Sequence, residues 1–443
     1  MITALHYVRL AGFPLGLGLA SVLVSGTLNR VMIVELGLPA ALVGLFLAIP
    51  VLIAPARVWL GYVSDGYPIR GKRREPYIVL GALVAGLGVS GATLIVLNQA
   101  AALPVVAGGG LLAFMAFGLG HTLASNTFEA LLADKFSGAQ RPRAVTLYKV
   151  AMFAGILSGA LLLGRLLEPF DTGRLLAVVL GVMTAYAALA ALAVSRQEPE
   201  IPDLEETVRR ASGEPFLAVV RSLVWANPHA RRFFVLVVLS VLGTLAQDVL
   251  LEPYGALVLE MSVAQTTRLT AIWGTGTLLA IVIAGTRLIA RFGILPVLRA
   301  GLLLNVLVFA GIISAGALGS VSVFRALVFL LGIGTGLSMA GLLTAVIEFT
   351  TFVRAGLLMG VWGMAAELGQ AGGGLMGGVV VDVMRRISGG DALLAYGTVF
   401  AIESALLVIA LALTGGLRVD VAARGTLKAS ARRAAEELTP AAW

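Results

Sequence analysis

The chain has no cysteine and only three histidines among 443 residues. The first absence excludes disulfides, thiolate nucleophiles and cysteine-bound metals together. Charge is scarce too: Asp, Glu, Lys and Arg make up 13% of the residues, against ~25% in an ordinary soluble domain. Acidic residues are the rarer sign, 24 against 32 basic, for a formal net charge of +8. What fills the space is hydrophobic, 59% of the chain with a mean hydropathy of +0.97. That much apolar surface cannot hide in a water-soluble core, so the solvent for most of the chain is lipid. In hydrocarbon every backbone polar group must be paired internally, which leaves helices or a closed barrel. The apolar runs are long and uninterrupted rather than ten-residue alternations, so helices are expected.

Breaks at charges, prolines and glycine clusters divide the chain into twelve expected transmembrane helices: 11–36, 39–62, 76–98, 104–132, 144–168, 174–195, 230–258, 266–287, 294–315, 320–346, 355–382 and 392–415. Arg9 precedes an apolar run from Leu10 to Leu28 without a convincing cleavage site, so this stretch is expected to be the first membrane helix and not a removable signal. The longest polar segment contains "RQEPEIPDLEETVRR". The expected organisation is a six-helix bundle over 1–195, a cytoplasmic linker over 196–229, a second six-helix bundle over 230–417 and a cytoplasmic tail over 418–443. With the N-terminus cytoplasmic, all but seven of the 32 Lys and Arg fall on the cytoplasmic side, as the positive-inside rule requires. The basic balance is therefore read as topology, and no nucleic-acid partner is expected.

The halves echo one another. "RPRAVTLYKVAMFAGILSGALLLG" opens the fifth helix and "VRAGLLMGVWGMAAELGQAGGGLMGG" the eleventh; both begin Arg-Ala or Arg-Pro-Arg-Ala and turn glycine-rich. Two pseudo-symmetric bundles about a midplane cavity, with Gly61 and Asp65 ahead of a basic loop, resemble the major facilitator superfamily. In that superfamily's signature a glycine follows the Asp by three residues; here Gly71 comes six on. The stretches "NRVMIVELGLPA", "SDGYPIRGKRREPYIVLG", "GHTLASNTFEALLAD", "RPRAVTLYKV" and "QDVLLEPYG" together resemble the PucC/LhaA family, the bacteriochlorophyll delivery branch of that superfamily. The resemblance spans about residues 25 to 380 and rests on no single motif.

The resemblance implies assembly of photosynthetic light-harvesting complexes in a bacterial cytoplasmic or intracytoplasmic membrane. Bacteriochlorophyll is implied as possible cargo, and antenna polypeptides or a reaction-centre complex as partners beside membrane lipids. It also implies a conformational latch of Gly61, Asp65, Arg70, Arg73, Arg74 and Arg354, in which Asp65 accepts hydrogen bonds from the start of the eleventh helix and Arg354 adds a charge-assisted bond. The simpler expectation for Arg70, Lys72, Arg73 and Arg74 is anchorage beside anionic lipid.

Intramembrane polar groups usually face protein interior. In the superfamily the first, fourth, seventh and tenth helices line the cavity, and polar residues concentrate on them. Asn29, Arg30, Gln247, Asp248 and Glu252 form the expected cavity cluster, with Asp248 and Glu252 one helical turn apart. His121, Asn126 and Glu129 are the candidate pigment-binding residues. A neutral His121 imidazole suits the magnesium of a bacteriochlorin, and a helix-to-helix hydrogen bond, for instance to Ser125, is the other reading. Glu367 and Glu403 are deep carboxylates, Lys149 is expected to snorkel to the surface, and Gly369, Gly373 and Gly377 make a smooth face for helix approach. No nucleophile–base pair, metal-ligand set or phosphate loop survives membrane placement, so no enzymatic activity is expected. The alternative to an assembly factor is a proton-coupled secondary transporter of a small solute.

Overall fold

The computed structural model describes residues 4–38, 40–98, 102–138, 140–167, 170–199, 203–245, 250–350 and 354–417. Among them the structure is helical throughout its regular elements. Helix α1 (Ala4–Val22) continues through π-helical turns at Leu23–Leu28 and Val31–Glu35. It is followed by α2 (Ala40–Leu52), α3 (Ala54–Gly66), α4 (Glu75–Leu97), α5 (Leu103–Lys135), α6 (Gln140–Leu166) and α7 (Thr172–Val194). Two short helices come next, α8 (Leu204–Ser212) and α9 (Phe216–Val220). The remainder is α10 (Pro228–Leu245), α11 (Leu251–Val258), α12 (Val263–Ile283), α13 (Ile289–Phe292), α14 (Ile294–Ala317), α15 (Val321–Phe349), α16 (Ala355–Ile387) and α17 (Ala392–Thr414).

Eleven helical stretches among the described residues are long and apolar enough to cross a membrane. The 33-residue α16 is not one of them, because its glycines, Glu367 and Gln370 dilute the apolar content that its length would otherwise supply. One expected helix is split. Pro50 lies inside α2 and Pro55 in the first turn of α3, so the ladder breaks at Ile53, next to a proline that has no amide to donate. Of the expected 230–258 helix, α10 and α11 are described and 246–249 lie outside the described residues.

Two large hydrophobic clusters hold the helices. One draws on α1, α2, α4, α5, α6 and α7, with Phe13 stacked on Phe128 at 4.3 Å and Phe46 on Phe114 at 5.1 Å. The other draws mainly on α10 through α17, with Phe309 stacked on Phe400 at 5.7 Å and Phe233 edge-on to Trp362 at 4.9 Å. The second cluster also takes in Val58, Tyr62, Ala130 and Val145, so apolar packing crosses from one half to the other along α3, α5 and α6.

That crossing is closest between α3 and α16. A Cβ on Gly61 would fall on the Gly356 carbonyl, and one on Gly360 would fall on the backbone of Arg57 and Val58. Only glycine lets the two backbones touch there. The glycines singled out from the sequence serve a neighbouring contact: Gly369 lies against Val238 and Val241 of α10, and Gly377 against Leu250.

The segment between the halves is laid across the same end. Arg354 Nη1 and Nη2 donate to the carbonyls of Ala211 and Arg210, both at 3.0 Å, which caps the C-terminus of α8 with a cation. The Tyr62 hydroxyl donates to the Glu214 carbonyl at 2.8 Å. A Cβ built on Gly66 lies 3.2 Å from that of Ser212, near the ~3.5–4.5 Å span of a disulfide. In this cysteine-free chain the double variant Gly66→Cys/Ser212→Cys is therefore expected to cross-link on mild oxidation. Cleavage at a single specific-protease site inserted between Glu198 and Asp203 should then leave the halves joined on a gel until reductant is added; halves that separate without reductant would mean that α8 does not dock on α3.

Candidate functional site: two ionic layers between the halves

The basic loop at residues 70–74 owes its shape to two positive backbone angles. Arg70 has φ 53° and Gly71 φ 76°, the pair a tight two-residue hairpin turn requires. The turn is closed by Ile69 N–H to Lys72 O at 2.9 Å and Lys72 N–H to Ile69 O at 3.1 Å. This hairpin accounts for the three extra residues between Asp65 and the glycine. It leaves Arg70 exposed at the tip and turns Arg73 and Arg74 inward.

Those two arginines are not lipid anchors: both are 0% exposed. Asp65 Oδ1 lies 3.2 Å from Arg73 Nη2 and 2.8 Å from Arg74 Nη2, and Asp134 of α5 lies 2.7 Å from Arg74 Nε. The expectation of a surface cluster fails because two carboxylates on two other helices neutralise the pair, and a buried guanidinium is tolerated only when paired. Burial pulls the Arg73 pKa below its ordinary value, helped by the Arg74 charge and opposed by Asp65 and Asp134. Burial acts on Arg74 in the same direction, but Asp134 and Asp65 outweigh it and hold its pKa above the ordinary value. Glu198 of the linker accepts from the backbone amides of Arg73 and Arg74 at 2.7 and 2.9 Å, while Glu75 accepts from those of Gln197 and Glu198 at 2.7 and 3.0 Å. Lys72 pairs with Glu75.

Asp65 also reaches the other half. Its two carboxylate oxygens accept from the amides of Gly356 and Leu357, at 2.9 and 2.8 Å. These are free donors of the first turn of α16, where helix dipole and unpaired N–H groups favour an anion. Arg354 does not join Asp65; its guanidinium is taken by the α8 carbonyls described above.

Two turns deeper on α3 lies a second layer. Arg57 Nη1 is 2.7 Å from Glu367 Oε1 on α16, its Nη2 is 3.3 Å from Glu129 Oε2 on α5, and its Nε is 3.4 Å from Asn126 Oδ1. Asn126 Nδ2 in turn donates to the Gly356 carbonyl at 3.0 Å. The Tyr148 hydroxyl on α6 approaches Glu129 at 3.4 Å. Arg57 thus ties the halves together a second time. In the sequence it read as one more cation on the basic side, and only the pairing of Glu129 with Glu367 gives it a role. Lys149 is not at the surface either; its Nζ sits 5.2 Å from the centre of the Tyr148 ring.

These groups wall a cavity of about 270 Å³. Arg57, Glu129, Lys149 and Glu367 supply its charge, and Ser240, Thr244, Ser338 and Gln370 line it with polar atoms among Val, Leu and Met side chains. Of the residues expected there, Glu129 is present and Asn29, Arg30 and Glu252 are not. Arg30 is exposed and lies 3.7 Å from Glu35 at the π-helical end of α1, lining a separate cleft against α6. Glu252 accepts from the Thr270 hydroxyl at 2.9 Å. Gln247 and Asp248 lie outside the described residues.

His121 does not line the cavity. Its ring packs 5.4 Å from that of Phe117, its Nδ1 is buried without a hydrogen-bond partner, and Ser125 donates to the Thr122 carbonyl instead of to His121. The unpartnered nitrogen suits a ligand role, but His121 packs on Phe117 and lies outside the cavity. Pockets for drug-sized molecules run to about 300–1,000 Å³, and a tetrapyrrole with its hydrocarbon tail exceeds this cavity.

Both layers are open to test by substitution. Asp65→Ala would leave two buried guanidiniums with one carboxylate, a loss of about 3–5 kcal/mol readable as a lower unfolding midpoint in detergent. Asp65→Ala/Arg73→Leu should cost less than that single change, since it removes one uncompensated charge; equal or larger loss would contradict the pairing. For the deeper layer, Arg57→Ala is expected to destabilise by a similar amount. Adding Glu367→Gln should recover part of the loss, and an additive double variant would show that the bridge carries no coupling.

Comparison with known proteins agrees with this architecture. A solved bacterial homologue of the iron transporter ferroportin, in an outward-facing state, superposes with a TM-score of 0.73 over 92% of this chain and 98% of its own, at 14% identity. The major facilitator superfamily proton:xylose symporter XylE does so with a TM-score of 0.64 over 91% and 93%, at 16% identity; the fold is that of this superfamily. In sequence, a protein from the puhA–bchM intergenic region of Rhodobacter capsulatus is 34% identical over 92% of this chain and 88% of its own length. Protein PucC of Rhodovulum sulfidophilum is 35% identical over 85% of each, and the Rhodobacter capsulatus bacteriochlorophyll synthase 44.5 kDa chain 31% over 96% and 97%. The model of the PUCC protein family matches residues 27–421, and the chain belongs to that family.

Proposed function

We propose that this chain is an integral-membrane assembly factor for photosynthetic light-harvesting complexes, working in a bacterial cytoplasmic or intracytoplasmic membrane. It binds or delivers bacteriochlorophyll, chaperones antenna polypeptides, or does both, and is not an enzyme. The observation that carries the reading is the family match from residue 27 to 421, with PucC relatives from purple bacteria covering most of the chain. In this reading α16 is the twelfth span, both termini are cytoplasmic, and the two ionic layers close the cytoplasmic side. The excess of Lys and Arg on that side supports the orientation.

The cavity volume bears on how a client is handled. A tetrapyrrole or an antenna helix is too large for about 270 Å³, so in this conformation a client meets the protein from the lipid, along its outer helices. The competing reading, a proton-coupled transporter of a small solute, draws support from the same cavity and from its carboxylates Glu129 and Glu367. Fold similarity does not choose between the two.

The deciding experiment is purification in mild detergent from a phototrophic membrane, followed by an absorption spectrum, pigment extraction and identification of co-purifying polypeptides. The expected result is stoichiometric bacteriochlorophyll, captured antenna polypeptides, or both. Pigment lost in His121→Ala would make the unpartnered Nδ1 its ligand; pigment kept would exclude that residue and leave the carrier role intact. A colourless protein that captures no antenna polypeptide, yet takes up protons with a small solute in vesicles, would replace this reading by the transporter.

A further inference from the structure

Burial of Arg73 and Arg74 leaves only Arg70 and Lys72 of the basic loop facing outward, and a further contact with anionic lipid is found elsewhere. It lies in the strap "PFLAVVRSLVWANPHARRFF", residues 215–234, between the docked linker helix α8 and the membrane span α10. Its first ten helical residues, Phe216–Val220 and the π-helical turn Arg221–Trp225, have two unlike faces. Val219 is fully buried, and Phe216 packs edge-on against Tyr62 at 5.6 Å. The opposite face carries Leu217, 76% exposed, and Trp225, 56% exposed, together with exposed Ala218, Arg221 and Ser222. The Asn227 side chain caps α10 by accepting from the His229 and Ala230 amides at 3.0 and 3.3 Å, and Pro228 follows the cap. Arg231 is therefore exposed in the first turn of a span whose buried apolar face starts at Phe233.

Neither water nor hydrocarbon suits this outward face. Leu217 and Trp225 are unfavourable in water, and Arg221 and Arg231 are unfavourable in acyl chains, whereas the headgroup layer accepts both. Exposed tryptophan beside arginine is the composition of that layer. The charge is one-signed as well: no Asp or Glu occurs between Glu214 and Asp248. Arg232 is partly occupied, since a Cβ on Gly416 would fall on its guanidinium, which leaves Arg221 and Arg231 as the outward pair. A planar guanidinium matches phosphate oxygens in a bidentate fork. We infer that residues 216–231 form a docking site for anionic phospholipid headgroups, with Arg221 and Arg231 holding the phosphate and Leu217 and Trp225 entering the interface beside it. Because Tyr62 and the linker meet this strap, the lipid would bear directly on the end where the halves are latched.

The test uses the full chain in phosphatidylcholine vesicles doped with either brominated phosphatidylglycerol or brominated phosphatidylcholine. Quenching of Trp225 is read as the difference between the unmodified chain and Trp225→Phe. The expected result is quenching at a several-fold lower mole fraction of the anionic lipid. Arg221→Gln and Arg231→Gln should each weaken that preference by about fivefold, and Arg221→Lys/Arg231→Lys should keep most of it. Equal quenching by the two headgroups in the unmodified chain would overturn the proposal without any arginine variant. So would a preference unchanged in Arg221→Gln/Arg231→Gln, or one abolished by inorganic phosphate in the buffer, which would mark a soluble-anion site.

Discussion

The carboxylate of Asp65 is the contact through which the rest of this molecule is organised. It sits where four donors converge, two guanidiniums from its own half and two backbone amides from the first turn of α16. Hydrogen bonds to a charged group contribute about 1.5–3 kcal/mol each, so the two amide contacts alone are enough to set a conformational balance of a few kcal/mol. The buried arginines serve this contact by fixing the carboxylate, and Asp134 serves them by completing neutrality. Remove the amides, as when the halves part, and Asp65 keeps its cations. The latch can therefore open without stranding a charge, which is what a reversible contact requires.

The second layer differs in this respect. Arg57 is shared between Glu129, in its own half, and Glu367, in the other. Parting the halves would leave Glu367 without its cation beside a largely apolar cavity, so this layer resists opening more strongly than the first. Glu367 then needs either a proton or a new positive partner. The two layers thus give a readily broken contact near the end of the bundle and a more resistant one beneath it, both on α3 and both answered by α16. The glycines at 61 and 356 are the geometric condition for the pair, since any side chain there would hold the two helices apart.

Much of this was legible in the sequence, and the failures share a cause. The lipid environment, the helical class and the family follow from composition and from motifs spread over the chain. Asp65 was identifiable because its neighbour Gly61 and the following basic loop form a local pattern. The basic loop carries two expectations, latch and lipid anchor, and for Arg73 and Arg74 only the first agrees with their contacts to Asp65: four cations in five residues look like a solvated surface, and nothing in the local sequence tells that Asp134, sixty residues on, and Glu198, beyond a hundred, will bury half of them. Lys149, expected to snorkel, is held inward for a related reason: the cavity that it lines beside Glu129 is walled by other elements. Counting Lys and Arg by side depends on number, and it says nothing about the depth of any one residue. Of the expected polar cluster, Gln247 and Asp248 lie outside the described residues, and Asn29, Arg30 and Glu252 do not line the central cavity. Those residues lie on suitable helices, but π-helical turns at the end of α1 rotate Arg30 outward onto Glu35, and helical phase cannot be carried across such turns from a spacing of 3.6.

The linker belongs to the same mechanical unit. Its acidic start caps α4 through Glu198, its helix α8 is capped by Arg354 at the entrance to α16, and its end rests on Tyr62 of α3. Each of these contacts touches an element of the Asp65 latch, two of them one residue or one turn away from it. A segment tethered in this way moves when the latch moves. Anything that grips the strap continuing from it, such as a charged membrane surface at Arg221 and Arg231, therefore acts on the balance between closed and open halves. The physical consequence is that the lipid around this protein is not only its solvent but one of the terms that sets its conformation.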